Sequence, residues 1–268
     1  DKDGYLFTNT YLGDYPMFLP GGKEQIAGEY QPGWMLLSYG KKVSVSSSLE
    51  GYPAENIVDE DARTAWVAQS NRDMEWAQVD LQRLSSIHAI QVNFDEYGAN
   101  QKGAVSGVYQ SYLIYASVNG EDWSLVVDYG TKKTDTPHDY IEFEEPFKAR
   151  YIKLQNKEYM VSVNFSVRDL RIFGKGQGST PRAVNDFTVE RDEADPCKAR
   201  LCWEAVPDAQ GYIVRYGIAG DKLYNNFQVM GENTLEIGSL NKGVAYYFTI
   251  DAYNENGITR TSRIKVCR

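Results

Sequence analysis

The sequence predicts an all-β protein built as two consecutive sandwiches, and three observations carry that reading. Short apolar/polar alternations recur between turn residues along the chain, at the spacing of strands in a sandwich or jelly roll. No window of about 12 or more residues keeps an apolar 3.6-residue period with caps, so helices are expected to be few and short. Aromatic content is high, with 20 Tyr, 10 Phe and 5 Trp beside 5 Met and 2 His, and tyrosine suits strands and half-wet faces.

The elements follow in chain order. Residues 1–20 are too short to fold alone. Residues 21–33 and 174–181 are rich in Gly with Pro, the makeup of connectors. Between them, alternation predicts strands at Trp76–Leu81, Ile90–Phe94, Tyr112–Val118, Tyr140–Phe143 and Tyr151–Leu154, with a turn at Asn119-Gly120. The expected organisation is a leading remnant and linker over 1–40, one domain over 41–175 and a second over 181–268. The GxGxG pattern in the second connector precedes a Pro and a new strand, whereas a dinucleotide fingerprint requires a helix there.

Charge narrows the function. The 268 residues hold 28 Lys plus Arg against 37 Asp plus Glu, a net −9, which opposes the phosphate contacts that drive nucleic-acid binding. By segment the charge is −3, −5 and −1 over 1–40, 41–180 and 181–268. No apolar run approaches the roughly 20 residues of a membrane span. Residue 1 is Asp, with no charged-then-apolar opening, so a targeting peptide is expected to have been removed or to lie outside the chain. Cys197, Cys202 and Cys267 lack CxxC spacing and a neighbouring His; one disulfide at most is possible, and one thiol is left over. With only two His and no paired nucleophile and base, no catalytic residue is expected in the chain.

Five blocks, Tyr52–Trp66, Trp76–Leu81, Ser117–Trp123, Ala149–Leu154 and Val167–Gly174, resemble in order and spacing those of the discoidin family (coagulation factor V/VIII type C domains) and of carbohydrate-binding module family 32. The resemblance covers about residues 41–175. It implies an eight-stranded, galactose-binding-like jelly roll with a ligand site in the loops at one end. Asp59-Glu60-Asp61 ahead of Thr64 also crowds oxygen ligands into a turn, as a hard cation requires. The family places a structural calcium near this turn, which carried over gives Asp59, Asp61, Thr64 and Asp169. Many relatives have Glu at the last position. A solvated acidic turn is the simpler alternative.

For the ligand, Asp95–Gln110 is a loop of 16 residues carrying Glu96, Tyr97, Asn100, Gln101 and Tyr109, and loops of that length are commonly functional. Sugars offer apolar C–H faces ringed by hydroxyls, so aromatic platforms beside amides and carboxylates fit them. His138 and Tyr52 join this set because the corresponding family loops gather at the same end, and Tyr159 and Asn164 from the loop before the last strand. Trp66 and Trp123 match positions that the family packs in its core. His88 shares the parity of Ile90, Val92 and Phe94 and is expected as a packed strand residue. Glu142 and Glu144 alternate to one face and are expected as solvated surface, and the sequon Asn164-Phe-Ser166 bears only on a eukaryotic secretory product.

Residues 181–268 resemble a fibronectin type III domain through Trp203 after Ala-Arg-Leu-Cys, Tyr212–Tyr216, and the tyrosine-corner stretch Leu240–Gly257. That resemblance implies a bond from Tyr246 to the backbone just upstream. Cys197 and Cys267 are the preferred pair if a bridge exists. Residues 1–20 resemble the last strand of the propeller of glycoside hydrolase family 43, whose catalytic acids would lie upstream. Taken together, the resemblances imply a non-catalytic carbohydrate-binding and spacer region of a secreted, periplasmic or surface-bound bacterial hydrolase of β-xylosidase or arabinofuranosidase type. Its partners would be plant-type xylan or arabinan glycans and an upstream catalytic domain of the same chain. The alternatives are a structural brace for that propeller and a protein-binding adhesion module.

Overall fold

The computed structural model describes residues 16–19, 23–26, 34–98, 109–159 and 163–268, the first two stretches by backbone alone. Strands β1 (Pro16–Leu19) and β2 (Lys23–Ile26) pair antiparallel, so the start of the expected first linker is strand. The rest of the expected propeller remnant lies outside the described residues. From Trp34 the chain forms two compact units, Trp34–Thr180 with Glu255–Gly257, and Pro181–Asn254 with Ile258–Arg268.

The first unit holds β3 (Met35–Leu36), β4 (Lys42–Val45), a 3₁₀ turn (Ala54–Val58), β5 (Trp66–Val67), β6 (Trp76–Phe94), β7 (Ser111–Ser117), β8 (Ser124–Tyr129), β9 (His138–Glu158) and β10 (Ser166–Lys175). Eight strands share one antiparallel network in the order β3-β10-β6-β9-β7-β8, with β4 added to β6 and β5 to β10. Met35–Leu36 pairs with Gly174 and Phe173, and Leu37 is buried. Residues assigned to the leading linker therefore belong to this sandwich.

Two pairs of predicted strands prove to be halves of longer ones. Trp76–Leu81 and Ile90–Phe94 both lie in β6, and Tyr140–Phe143 and Tyr151–Leu154 both lie in β9. Each strand bends where the register shifts between Asp80 and Ser85, next to Gln82 at φ 66°. The first half of β6 pairs with β4 and the second half with β10, so one strand serves both layers.

Alternation holds on each side of the bend: Ala77, Val79 and Leu81 are buried, as are Ile152 and Leu154 opposite. With Trp66, Phe94, Tyr112 and Phe165 they form the core. His88 departs from its expected parity. A bulge between Ile87 and Ala89 sets it beside buried Ile87, half-exposed and stacked on Trp34 at 5.1 Å. Trp123 also departs from expectation: it is half-exposed, edge-on to Tyr151, with Lys153 Nζ 4.0 Å above its ring. Glu142 and Glu144 are exposed.

The buried phenols set an alkaline limit. Tyr112 donates to Asp139 Oδ2 at 2.7 Å, and burial, then that bond, pushes its pKa far above the usual 10.0. Burial raises Tyr159 likewise. Above pH about 10 the unfolded phenols ionise while the folded ones stay protonated, so the unfolded state binds fewer protons and stability falls as pH rises. The melting temperature should hold flat through neutral pH and drop above about pH 10. Replacing both tyrosines with phenylalanine should shallow that drop, and an unchanged slope would contradict the assignment.

The second unit is a sandwich of two sheets. β11 (Phe187–Arg191), β12 (Ala199–Trp203) and β15 (Thr234–Ile237) form one. β14 (Asn225–Met230), β13 (Gly211–Gly217), β16 (Tyr246–Asn254) and β17 (Gly257–Thr259) form the other, with β18 (Lys265–Cys267) against β16. Its core gathers Trp203, Tyr212, Val214, Phe248 and Ile250. The Tyr246 hydroxyl accepts from Asn241 N–H at 3.2 Å, the upstream backbone bond expected of it. All three cysteines are free thiols, exposed at Cys197 and buried at Cys267, so the preferred bridge is not formed.

Candidate functional site

Because both halves of β6 and β9 bend back, the connections preceding and following them collect at one end of the first sandwich. Main-chain bonds show it: Phe94 N–H donates to Pro137 O, Phe165 N–H to Ser70 O, and Met74 N–H to Asn156 O. Glu75 ties this end together by accepting from Ser47 at 2.8 Å, Ser70 at 2.6 Å and Ser46. Burial alone would raise the Glu75 carboxyl, but those hydroxyls outweigh it and hold it below its usual range.

The predicted ligand residues separate into groups. Tyr52, before the 3₁₀ turn, and Tyr97, after β6, meet edge to face with ring centroids 4.9 Å apart. Both are half-exposed, and Glu96 beside them is exposed. Hydrogen bonding to Tyr97 pushes the Tyr52 phenol above its usual value. Tyr97 is held by its N–H on Ser166 Oγ at 3.3 Å. Next to it, Asp95 pairs with Arg168 Nη2 at 2.6 Å, and Arg168 also reaches Ala62 O. The result is two aromatic rings beside a carboxylate–guanidinium pair, which offers C–H contact together with hydroxyl donors and acceptors.

Tyr109 forms a separate group, donating to Glu158 with Lys133 Nζ 4.0 Å over its ring. His138 is exposed and faces Asn93 Oδ1 at 3.1 Å. Tyr159 is not a rim residue: it is 3% exposed, packed on Phe94 and Phe165, and donates to Asp95 O at 2.7 Å. It supports the site from beneath. Asn164 is half-buried and donates to Ala68 O at 2.8 Å, a structural bond that engages its amide. Asn100 and Gln101 lie outside the described residues.

The expected cation ligands divide similarly. The Thr64 hydroxyl donates to Asp59 Oδ2 at 2.8 Å and lies 2.9 Å from Asp61 O. Both carboxylate oxygens of Asp61 instead accept from Arg63, which lowers its pKa to about 2; only its main-chain oxygen faces Thr64. Asp169 is 4% exposed, takes Asn93 Nδ2 on Oδ2 at 2.8 Å, and leaves Oδ1 buried with no hydrogen-bond partner among the described residues. Strand β10 runs beside this turn, with Arg168 donating to Ala62 O and Arg171 Nη2 pairing with Glu60 at 2.7 Å. Among the described residues no three His, Cys, Asp or Glu side chains converge. Asp59, the Thr64 hydroxyl, main-chain oxygen and the orphaned Asp169 oxygen therefore fit a hard cation's preference, and the Asp61 side chain does not.

Arg168 and Asp95 are the residues that sequence reasoning left out of the site. Asp95 opens the long loop and Arg168 sits inside the Val167–Gly174 stretch, but nothing in the sequence pairs positions 73 residues apart.

Part of the chain is similar to known proteins. Lactadherin of Rattus norvegicus is 33% identical over 110 residues, 38% of this chain and 25% of that protein. Lactadherin of Mus musculus is 32% identical over 110 residues, 38% of this chain and 23% of that protein. The chain thus spans about a quarter of the length of these curated relatives. Among solved structures, chitosan-binding module 1 from a Paenibacillus sp. IK-5 chitosanase/glucanase is 21% identical over 52% of this chain and 99% of that one, with TM-score 0.44. The family 32 module of C. perfringens NanJ, solved with galactose, is 18% identical over 52% and 98%, with TM-score 0.42. Residues 42–169, just under half of the chain, match the family model F5/8 type C domain, and this stretch is a discoidin-like domain.

Proposed function

We propose that the discoidin-like domain is a carbohydrate-binding module whose site is the loop end around Tyr52 and Tyr97. The carrying observation is that ring pair, 4.9 Å between centroids, beside Asp95 and Arg168. Rings lying edge to face give a stepped apolar surface, and the ion pair supplies both hydrogen-bonding polarities for sugar hydroxyls. Glu96, Asn100, Gln101, Tyr109 and His138 are proposed to complete it. On this reading the chain is the non-catalytic binding and spacer region of a secreted or periplasmic bacterial hydrolase of xylan- or arabinan-type glycans. Residues 181–268 are proposed as a fibronectin type III domain, supported by the two-sheet sandwich, buried Trp203 and the Tyr246 bond to Asn241. A family 43-like catalytic domain upstream completes the proposal.

Calorimetric titration with xylo-, arabino-, galacto- and chito-oligosaccharides tests it. Saturable heat is expected for at least one, weakened ~10-fold or more by Tyr97→Ala or Tyr52→Ala. No heat at millimolar ligand across the panel would overturn the reading. An adhesion role draws on Met74, 64% exposed in the turn before β6, but a single exposed apolar side chain is ordinary surface and makes no patch.

A structural calcium is proposed at Asp59, Thr64, the Asp61 carbonyl and Asp169. Its charge would neutralise the buried Asp169 oxygen and brace the turn after the 3₁₀ segment. Chelation should lower the melting temperature and added calcium restore it, with Asp169→Asn insensitive to both. A melting temperature unmoved by chelator would remove the site.

A further inference from the structure

In the discoidin-like domain, Val79, Ile152, Leu154 and Ile114 of β6, β9 and β7 are buried in the core, so Gln78, Tyr151, Lys153 and Tyr115 between them point outward. The register sets Gln78 opposite Lys153 and Lys153 opposite Tyr115, one row across three strands. Trp123, at the end of the β7–β8 turn, leans over this row. Lys153 Nζ lies 4.0 Å from its ring centre and 5.6 Å from that of Tyr115, and Tyr151 meets Trp123 edge-on at 6.5 Å. All five side chains are half-exposed, so the rings are open to a ligand from solvent. The strand neighbours of Lys153 are matched, Arg150 by Asp80 at 2.8 Å and Lys157 by Asp73 at 2.7 Å. Lys153 itself makes no ion pair among the described residues, and burial lowers its pKa with no carboxylate opposing that shift. The other carboxylates at this face and its rim are turned elsewhere: Asp128 accepts from Gly130 N–H at 3.0 Å, Asp122 from Asn119 Nδ2 at 2.9 Å, and Glu121 is exposed in the turn. In a chain of net −9, one half-buried ammonium thus lies between aromatic rings with no counterion.

The chemistry of this face selects its ligand. The three strands are interior to the sheet, so their main-chain groups pair with one another and offer nothing to an added peptide strand. What the face presents is aromatic surface for C–H groups, the Gln78 amide for hydroxyls and one point charge for a carboxylate. A sugar ring bearing a carboxylate uses all three, whereas a neutral sugar leaves the ammonium without a counterion. We propose that this sheet face is a second binding site, independent of the loop end, for a glycan carrying uronic acids: Lys153 pairs with the carboxylate, and Tyr115, Trp123 and Tyr151 bear on the sugar rings.

The test follows the tryptophan indole ¹H–¹⁵N resonances of the full chain during titration with trigalacturonate and a glucuronic-acid-substituted xylotriose, against galactotriose and plain xylotriose as neutral counterparts. The Trp123 signal is identified by its loss in Trp123→Phe. That signal should shift saturably with at least one of the acidic sugars, and the affinity should fall as salt is added. Lys153→Met, which keeps the length of the side chain over the rings, should weaken binding ~10-fold, and Lys153→Arg should retain most of it. Tyr97→Ala should leave the shift intact, which separates this site from the loop end whether or not sugar binds there. A Trp123 signal unmoved by both acidic sugars, equal affinity for acidic and neutral sugars, a shift abolished by Tyr97→Ala, or a response to polyglutamate and to neither acidic sugar would each overturn the proposal.

Discussion

Replacing Trp66 with alanine is expected to destabilise the discoidin-like domain by about 3–5 kcal/mol, the usual range for removing a buried aromatic. Trp66 is fully buried, edge-on to Phe165 at 5.8 Å, and donates its indole N–H to Ser47 O at 3.0 Å. Alanine would leave a cavity among Phe165, Ile57 and Val167 and would also strand the Ser47 carbonyl. Against a typical total of about 5–15 kcal/mol, that loss removes a large part of the domain's stability. Denaturant titration should show the shift, with Trp66→Phe losing less because the ring is largely kept. A change under about 1 kcal/mol would mean that the site collapses around the gap. Since Ser47 also holds Glu75, sugar binding at the loop end should weaken in the same variant.

In the second domain the largest single effect is expected at Arg215. Its guanidinium lies 2.8 Å from Asp251 Oδ2, with side chains only 13% and 3% exposed. Asp251 Oδ1 also accepts from Thr261 N–H at 3.1 Å. Arg215→Met strips the partner from a buried carboxylate, and breaking such a pair costs about 3–5 kcal/mol. Removing both charges, with Arg215→Met and Asp251→Leu together, should recover much of it, because well-packed apolar residues are often as stable as a buried pair. A double variant no more stable than the single one would show that Asp251 matters chiefly for the Thr261 N–H. The exposed Arg63–Asp61 pair, with Arg63 side chain 88% exposed, should give no measurable change when broken.

The layers of the fold were legible because burial alternates strictly where strands run straight. Ala77, Val79 and Leu81 announce an inward face in the sequence and occupy one in the structure. What escaped is what alternation cannot encode. A bulge inserts His88 without changing composition, and the bend at Gln82 joins two predicted strands into one. Trp66 and Trp123 occupy comparable block positions, yet Trp123 stays half-exposed under Lys153, a cover supplied from another strand. At the site, Tyr52 and Tyr97 were visible as types suited to sugar and do meet. Tyr159 looked the same in sequence but carries its hydroxyl inward to Asp95 O, and Arg168 acquires its role from a partner far away in the chain.

The short β3 strand has a wider meaning. Met35 pairs with Gly174 and Leu36 with Phe173, so the entrance and exit of the discoidin-like domain are hydrogen-bonded to each other. A module whose ends meet can be excised, duplicated in tandem or spliced into a host loop without stretching its frame. Joining residue 175 to residue 34 by a short linker and reopening the chain at Asn119-Gly120, an exposed turn remote from Tyr52 and Tyr97, should yield a permuted domain that still folds.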